Sequence, residues 1–517
     1  MTRILDRLRG GLIASCQPVD DGPMDEPEIV AAMARAAVAG GARGLRIEGV
    51  ENLRAVRPAV DVPIIGIVKS DTPETPVRIT VSVEDAQALV SAGASIVAYD
   101  ATDRPRRDSA EAVLKAILEA GALAMADCAT FKDGQRALSG GASILGTTLS
   151  GYTEDTQSED NAPDLDLVSR FRDLGCFVMA EGRLDTPWLA AKAMEAGADA
   201  VTVGSSLTRL ELVSDRFSRA ISKGYQNRSP TGYAVDLGGT KTAAARIENG
   251  EITARVESAT DGNADPNNQI ALISRLLAEL GFRKGDRLGI AVTGRVDERG
   301  NWHAVNKSTL TKIRSVPLAR KLEDLFGHLS LFNDATAATL AEHRFGAGRG
   351  HANFAYITIS TGAGGGLILN DRLHRSPDGM AGHIGFSSSP LGTSRCGSGR
   401  IGTVESRAGG RAIAAAAEAA GHAGMDAREV FEAARSGAGW ADAIVEDSAR
   451  AIAELTADLV AIVGVRRIAL GGSIGLADGY LERVQACAKE IPEIFRAVIV
   501  RSSVGHSGPL LGALLHD

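Results

Sequence analysis

Aromatic side chains are scarce in this 517-residue chain, making up 4% of it. Cysteine is scarce as well, with five residues at positions 16, 128, 176, 396 and 487. An odd number at wide spacing excludes a disulfide framework and points to a reducing compartment. The opening Met-Thr-Arg-Ile-Leu-Asp-Arg lacks the apolar core of a secretory signal. No apolar run is long enough to cross a bilayer. A formal net charge of −8 argues against nucleic acid as the main partner. A soluble, cytoplasmic protein without nucleic-acid or membrane partners is therefore expected.

Glycine is abundant, with 59 residues, as tight βα turns and phosphate loops require. The length predicts more than one domain. Eight short apolar runs recur over the first 220 residues. They are Gly11–Ser15, Gly44–Ile47, Pro63–Val68, Ser95–Tyr99, Leu123–Ala126, Ser143–Gly146, Phe177–Ala180 and Ala200–Val203. Each is too short for a stable helix and lacks clean alternation, as buried parallel strands do. Amphipathic stretches such as Val83–Ala92, Ser109–Glu119 and Pro187–Ala196 separate them. Several end in Ala-Gly, a helix-stop signal. This arithmetic predicts an α/β chain that begins with a (β/α)8 TIM barrel. An open doubly wound sheet is the rival, but no Gly-x-Gly-x-x-Gly follows the first strand.

Barrel chemistry gathers at the C-terminal ends of strands. Gln17, Arg46, Glu48, Lys69, Asp100, Asp127, Glu181 and Gly204-Ser205 stand at those ends. Gly182, Gly204, Ser205 and Arg209 form a candidate phosphate clamp of backbone N–H groups and one cation. Lys69 and Glu181 are the candidate catalytic pair, because a lysine at a barrel mouth is costly unless used. Lys69 suits either a Schiff base or proton transfer next to a carbonyl, and composition does not separate the two. Lys69 could equally be held in a rim ion pair by Asp71 or Asp100, and Asp100 and Asp127 could be loop caps.

The segments Ser15-Cys-Gln-Pro18, Gly44–Gly49, Pro63–Lys69, Asp100-Ala-Thr102, Met125-Ala-Asp127, Gly146–Thr153, Ala180-Glu-Gly-Arg183 and Val203–Arg209 resemble, as an ordered set, N-acylglucosamine-6-phosphate 2-epimerases. The resemblance implies that Lys69 exchanges the C2 proton of N-acetylmannosamine 6-phosphate and that Glu181 assists. It further implies that Gln17, Arg46, Asp127 and Arg209 contact sugar or phosphate, beside the clamp residues Gly182, Gly204 and Ser205 and the further substrate-binding candidate Arg183. No nicotinamide or metal is needed.

From Tyr233 the pattern changes. Strand Tyr233–Leu237, the turn Gly238-Gly239-Thr240-Lys241 and strand Thr242–Ile247 read as a hairpin whose loop could wrap phosphates, with Asp236 facing a metal. It is not a Walker A loop. Ser360–Gly366 is a second glycine loop, carrying Thr361, Gly362, Gly364 and Gly365. Gly471-Gly472 follows the strand Arg467–Leu470 as a third. Their repetition fits a two-lobed ATPase with a central cleft. Asn333-Asp334 ends strand Leu329–Phe332 and starts helix Ala335–Phe345, so Asp334 is either a cap or a general base. Gly409–Ala420 and Ala434–Val463 read as alanine-rich helices.

These motifs, with Ala381-Gly-His-Ile-Gly385, resemble the ROK family, whose fold is actin-like, and within it the N-acetylmannosamine kinase branch. The resemblance implies ATP and Mg²⁺, with Asp334 as the base and Asn333, His383 and Glu405 at the sugar. Asp236, Gly238, Gly239, Thr240, Lys241, Thr361, Gly362, Gly364, Gly365, Gly471 and Gly472 then serve the nucleotide. His383 replaces a glutamate of glucokinase-like members. The family's zinc knuckle of one histidine and three cysteines is reduced here to Cys396, with Phe386, Ser398 and Thr403 at the other positions. No zinc site is expected; metal enters only as the Mg²⁺ that accompanies ATP. No helix-turn-helix precedes this half, so the family's repressors are a poor guide.

The expected organisation is an epimerase domain at 1–221, a linker at 222–231 and a kinase domain at 232–517, acting on small amino sugars and sugar phosphates as a homodimer. Three alternatives stay open: a gluco- or N-acetylglucosamine kinase half, a Schiff-base aldolase barrel, or a non-catalytic sugar-binding second half.

Overall fold

The protein is seen in a computed structural model that describes residues 2–71, 73, 75–157, 162–306 and 310–516. The chain folds as two compact units, Met1–Ala220 and Ile221–Asp517. None of its helices, among the described residues, is long and apolar enough to cross a membrane.

The first unit is a closed eight-stranded barrel in sequential order. Its strands are β1 (Gly11–Cys16), β2 (Gly44–Glu48), β3 (Ile64–Ile67), β4 (Ile96–Asp100), β5 (Leu123–Asp127), β6 (Ile144–Gly146), β7 (Phe177–Glu181) and β8 (Ala200–Val203). All neighbours pair in parallel, and β8 closes on β1. Successive side chains point to opposite faces of a strand. Ile13, Ile65, Ile67, Ile96, Ala98, Leu123, Met125, Ile144, Phe177, Met179 and Ala200 accordingly fill the interior, with Leu8 from the N-terminal helix Thr2–Leu8 joining them. The alternate residues, such as Leu45, Ile47, Val97 and Val178, face the outer helices. Ser82, Ser109, Thr130 and Thr186 cap four of those helices through side-chain bonds to backbone N–H groups, each worth about 1 kcal/mol. At their far ends Gly93, Gly121 and Gly197 take the left-handed conformation the Ala-Gly pattern foretells.

The second unit holds two five-stranded sheets of like construction. The first runs Glu251–Ala259, Lys241–Glu248, Gly232–Leu237, Leu288–Val292 and Leu329–Asn333. The second runs Arg372–Leu373, Ala363–Leu369, Phe354–Ile359, Arg467–Gly471 and Val498–Arg501. In each, the central strand takes an antiparallel hairpin neighbour on one side and parallel strands on the other. This repetition is the two-lobed plan expected from the glycine turns.

Two segments differ from expectation. Ala434–Val463 is not one helix: Ala427–Arg435 stops and Gly439–Val463 begins after a break. Gly437 sits in that break with a positive φ of 88°, a conformation a continuous helix excludes. The helix Leu210–Gln226 runs into the segment expected as linker.

Candidate functional sites

Strand parity builds the first site. One step of two beyond the inward apolar residues lie Ser15 and then Gln17 after Ile13, Lys69 after Ile67, Asp100 after Ala98, Asp127 after Met125, Glu181 after Met179 and Thr202 after Ala200. Arg46 and Glu48 share the parity, flanked by outward Leu45 and Ile47. A cavity of ≈ 450 Å³ opens there, lined by Gln17, Arg46, Lys69, Glu181, Gly182, Arg183, Gly204, Ser205 and Arg209 among others. Asp127 and Glu48, both expected at strand ends, are not part of that lining.

Asp127 instead holds Arg46. The Arg46 guanidinium donates to both Asp127 oxygens, at 2.6 and 3.3 Å, and Glu181 Oε2 forms an ion pair with it at 3.1 Å. Arg46 and Asp127 are fully buried and Glu181 nearly so. Burial pushes Glu181 up to about 7 against the pull of Arg46, and the Asp127 charge adds to the rise. Thr148 also donates to Asp127, at 2.7 Å. Arg46 Nε and Arg183 Nε are buried without hydrogen-bond partners. Buried polar atoms left unpaired in a cavity wall are what a polyhydroxylated ligand would satisfy.

Among the described residues Lys69 forms no rim ion pair. Asp71 is held by Arg78 at 2.5 Å, and Asp100 by Arg104 at 2.5 Å and Arg106 at 3.1 Å. Burial depresses the Lys69 ammonium; Glu48 opposes the shift and Arg209 reinforces it. The Glu48 carboxyl is raised by burial, with Lys69 opposing. A lysine held below its usual range beside a carboxyl held above it has the two shifts that favour proton exchange.

At the clamp, Gly182 (φ 106°) and Arg183 (φ 57°) are both left-handed, a conformation costly for arginine. The turn carries the Arg183 side chain back to Ser150 O, at 2.8 Å, and over the Tyr152 ring. Arg209 Nε donates to Gln17 O at 3.1 Å. Sequence reading missed Arg78, Arg104, Thr148 and Tyr152, which line the same cavity. Thr148 is detectable by parity from Ile144, but the others stand on loops whose path the sequence does not fix.

The second site lies in a cavity of ≈ 280 Å³ lined by Gly239, Thr240, Asn333, Asp334, Thr361, Gly362, Gly364, His383 and Glu405 among others. Asn333 caps the helix Asp334–Phe345, accepting from Ala335 and Thr336 N–H. That frees Asp334 from the cap position. Its Oδ1 accepts from Ala335 N–H at 2.8 Å and Asn333 Nδ2 at 2.9 Å, and Oδ2 from Thr293 Oγ1 at 3.0 Å. Burial nonetheless raises Asp334 above the usual carboxylate range. Thr293 went unnoticed in sequence, although it follows strand Leu288–Val292, whose end lies beside that of Leu329–Asn333.

Asp236 stands outside the cavity lining. Burial, with Asp334 as a like charge, pushes it up to about 7, and its Oδ1 has no partner. Crowded carboxylates with an open oxygen suit a divalent cation. Gly364 and Gly365 are in strand Ala363–Leu369, not in a loop. A Cβ at Gly365 would meet Ile384 Cδ1 at 2.5 Å, so this glycine serves packing. Gly238, Lys241, Gly471 and Gly472 are likewise not in the cavity wall; Lys241 pairs with Glu257. A Cβ on Gly238 would stand 2.6 Å from Lys241 O, and one on Gly472 2.4 Å from Ile359 O.

His383 is lowered by burial, with Arg295 adding to the effect, and stacks on Phe386 at 6.0 Å. Glu405 ties strand Ala363–Leu369 to the 386–403 loop, accepting from Ala363 N–H at 3.1 Å and Gly397 N–H at 3.0 Å. The 386–403 loop does not fit zinc: Cys396 is its one thiol, and its Sγ lies 3.0 Å from Ser398 Oγ. Among the described residues no three His, Cys, Asp or Glu side chains group as metal ligands. The loop is held by hydrogen bonds instead. Arg400 donates to Phe386 O at 2.5 Å and Ser388 Oγ at 2.8 Å, and bridges join Ser388 to Thr403 and Arg395 to Ile401.

The profile of a family described as "Putative N-acetylmannosamine-6-phosphate epimerase" matches residues 30–223, and that of the ROK family matches 232–516. The chain is 43% identical to a bifunctional enzyme NanE/NanK of Brucella melitensis biotype 1, over 98% of this chain and 96% of that protein. It is 43% identical to its counterpart in Brucella suis biovar 1, over 98% and 95%. A solved N-acetylmannosamine-6-phosphate 2-epimerase from Clostridium perfringens is 33% identical, covering 42% of this chain and 95% of that one, with a TM-score of 0.41.

Proposed function

Since the chain belongs to the bifunctional NanE/NanK enzymes, we propose that its two units catalyse consecutive steps of amino-sugar breakdown. The second unit phosphorylates N-acetylmannosamine at O6 with ATP. The barrel converts the product to N-acetylglucosamine 6-phosphate, as in sialic acid degradation.

In the barrel, the sugar phosphate sits against Gly182, Gly204, Ser205 and Arg209, with Gln17 and Arg183 at its flanks. The ring opens, and the C1 aldehyde acidifies the C2 hydrogen. Lys69, with its depressed ammonium, takes that proton. The enolate charge is met by the Arg46 guanidinium that Asp127 fixes in place. Return of a proton to the opposite face inverts C2. Glu181, raised to about 7, moves the O1 or O5 proton as the ring opens. The supporting observation is the convergence of Arg46, Lys69 and Glu181 on one cavity.

In the second unit, Asp334 accepts the O6 proton as O6 attacks the γ-phosphorus and the bond to ADP breaks. Asn333, neutral His383 and Glu405 hold the sugar. The nucleotide lies along Gly239, Thr240, Thr361 and Gly362, and in the adjoining cleft below Gly471-Gly472 and Ser473. Gly238 and Lys241 shape the hairpin turn, and Gly364 borders the sugar. Mg²⁺, held through Asp236, would offset phosphate charge. No zinc takes part. We assign the chain to the cytoplasm as a homodimer, the latter supported by the exposed side chains of Leu210, Leu212 and Phe217 on the first unit.

Wash-in of deuterium at C2 of N-acetylmannosamine 6-phosphate tests the barrel chemistry. The parent should exchange and Lys69→Ala should not. Exchange persisting in Lys69→Ala refutes the lysine assignment.

A further inference from the structure

Two cavities of the second unit meet at one cation. The sugar-sized cavity of ≈ 280 Å³ and a wider cleft of ≈ 660 Å³, bounded by Asp426–Arg435 and Ser473–Asp478, share Ser360, Thr361 and Arg411. Arg411 is the one lysine or arginine lining the smaller cavity among the described residues.

The backbone fixes where this side chain starts. Gly410 N–H donates to Ser360 O at 2.7 Å, and Arg411 N–H to Thr361 O at 3.2 Å. Gly409 packs on Gly362 so closely that a Cβ there would lie 3.1 Å from Gly362 Cα. The first turn of helix Gly410–Ala419 is thereby pinned to the glycine loop at the junction of the cavities. The guanidinium is directed to the sugar side. A Cβ on Gly397 would meet Arg411 Nη2 at 2.7 Å, and Gly397 N–H is the group that donates to Glu405 Oε1.

We infer that Arg411 is a catalytic residue of the phosphoryl transfer, contacting the transferring group as it passes from nucleotide to sugar. The inference rests on the kinase reading above, with nucleotide in the wider cleft and sugar in the smaller. The transferring group carries negative charge on its equatorial oxygens. Around it the walls offer the carboxylates Asp334 and Glu405 and a His383 whose positive charge burial disfavours. A planar guanidinium with several donors suits those oxygens better than an ammonium. The O6–P bond forms, the bond to ADP breaks and the O6 proton passes to Asp334, while Arg411 stays charged throughout.

The experiment uses the full chain with Arg411→Gln and Arg411→Lys, ATP and N-acetylmannosamine as substrates, and epimerisation of added N-acetylmannosamine 6-phosphate measured on the same samples. Arg411→Gln should lower the kinase kcat by about 10³-fold or more with the sugar KM changed by no more than about threefold. Arg411→Lys should recover at least about tenfold, and epimerisation should match the parent. A kcat within about threefold of the parent, or a loss confined to the sugar KM, overturns the inference and leaves the kinase reading standing. Failure of the parent itself to phosphorylate the sugar overturns both.

Discussion

Replacing Asp127 with Asn should damage the barrel most at low pH, the reverse of the usual effect of losing an acid. Arg46 is wholly buried between Asp127 and Glu181. Removing one partner of a buried ion pair costs about 3–5 kcal/mol. Here Glu181 remains and the amide keeps an acceptor, so about 2 kcal/mol is the reasoned loss near pH 8. In the parent, Glu181 rises from 4.5 to about 7. Its folded form binds the proton more tightly, so the favourable contribution is complete below 4.5 and is lost as pH rises through about 7. That contribution is about 3 kcal/mol at about 1.4 kcal/mol per pH unit. In Asp127→Asn the repelling charge is gone and Arg46 holds the Glu181 carboxylate alone, so the rise and its contribution shrink. Burial, the largest cause of the rise, remains in the variant, so only part of that contribution is lost and the deficit should grow from about 2 kcal/mol at pH 8 to about 3 kcal/mol near pH 5. The denaturant midpoint of the transition that abolishes epimerisation, taken at both pH values, measures this. The pH limb of epimerisation that reports Glu181 should move to lower pH. An equal deficit at pH 5 and pH 8, with an unmoved limb, refutes the reasoning.

Asp334→Asn should lower the kinase kcat by about 10²–10⁴-fold and leave epimerisation intact; a kinase rate within tenfold of the parent would remove Asp334 as the base. Exhaustive chelation followed by Mg²⁺ should restore full kinase activity at an unchanged melting temperature, and elemental analysis should find no stoichiometric zinc. One tightly held zinc per chain contradicts this. Arg400→Ala removes two hydrogen bonds from the 386–403 loop. Loosening of the His383 segment should raise the sugar KM about fivefold, equivalent to about 1 kcal/mol, with kcat nearly constant. An unchanged KM would mean the loop is held without it.

The barrel was legible because each strand end repeats one rule. A polar residue two positions beyond an inward apolar one continues the inward face, which places Lys69 and Glu181 at the cavity without any knowledge of loops. Parity does not say which polar residues touch one another. That Asp127 is spent on Arg46, and that Asp71 and Asp100 are taken by arginines instead of Lys69, depends on side-chain reach across the barrel. In the second unit the glycine turns and Asn333-Asp334 were visible as local strings. Thr293 and Arg411 were not, because their positions arise from strands and helices far apart in sequence. The break at Gly437 was hidden by alanine, which suits a helix on either side of it. Gly365 illustrates the converse: a glycine in a phosphate-loop string that is required for contact with Ile384.

A proton NMR time course of the purified chain with N-acetylmannosamine, Mg²⁺ and ATP tests the two-step function most directly. N-acetylmannosamine 6-phosphate should appear first and N-acetylglucosamine 6-phosphate should follow at its expense. An unchanged spectrum, or a 6-phosphate that never epimerises, would contradict the assignment of consecutive reactions to this chain.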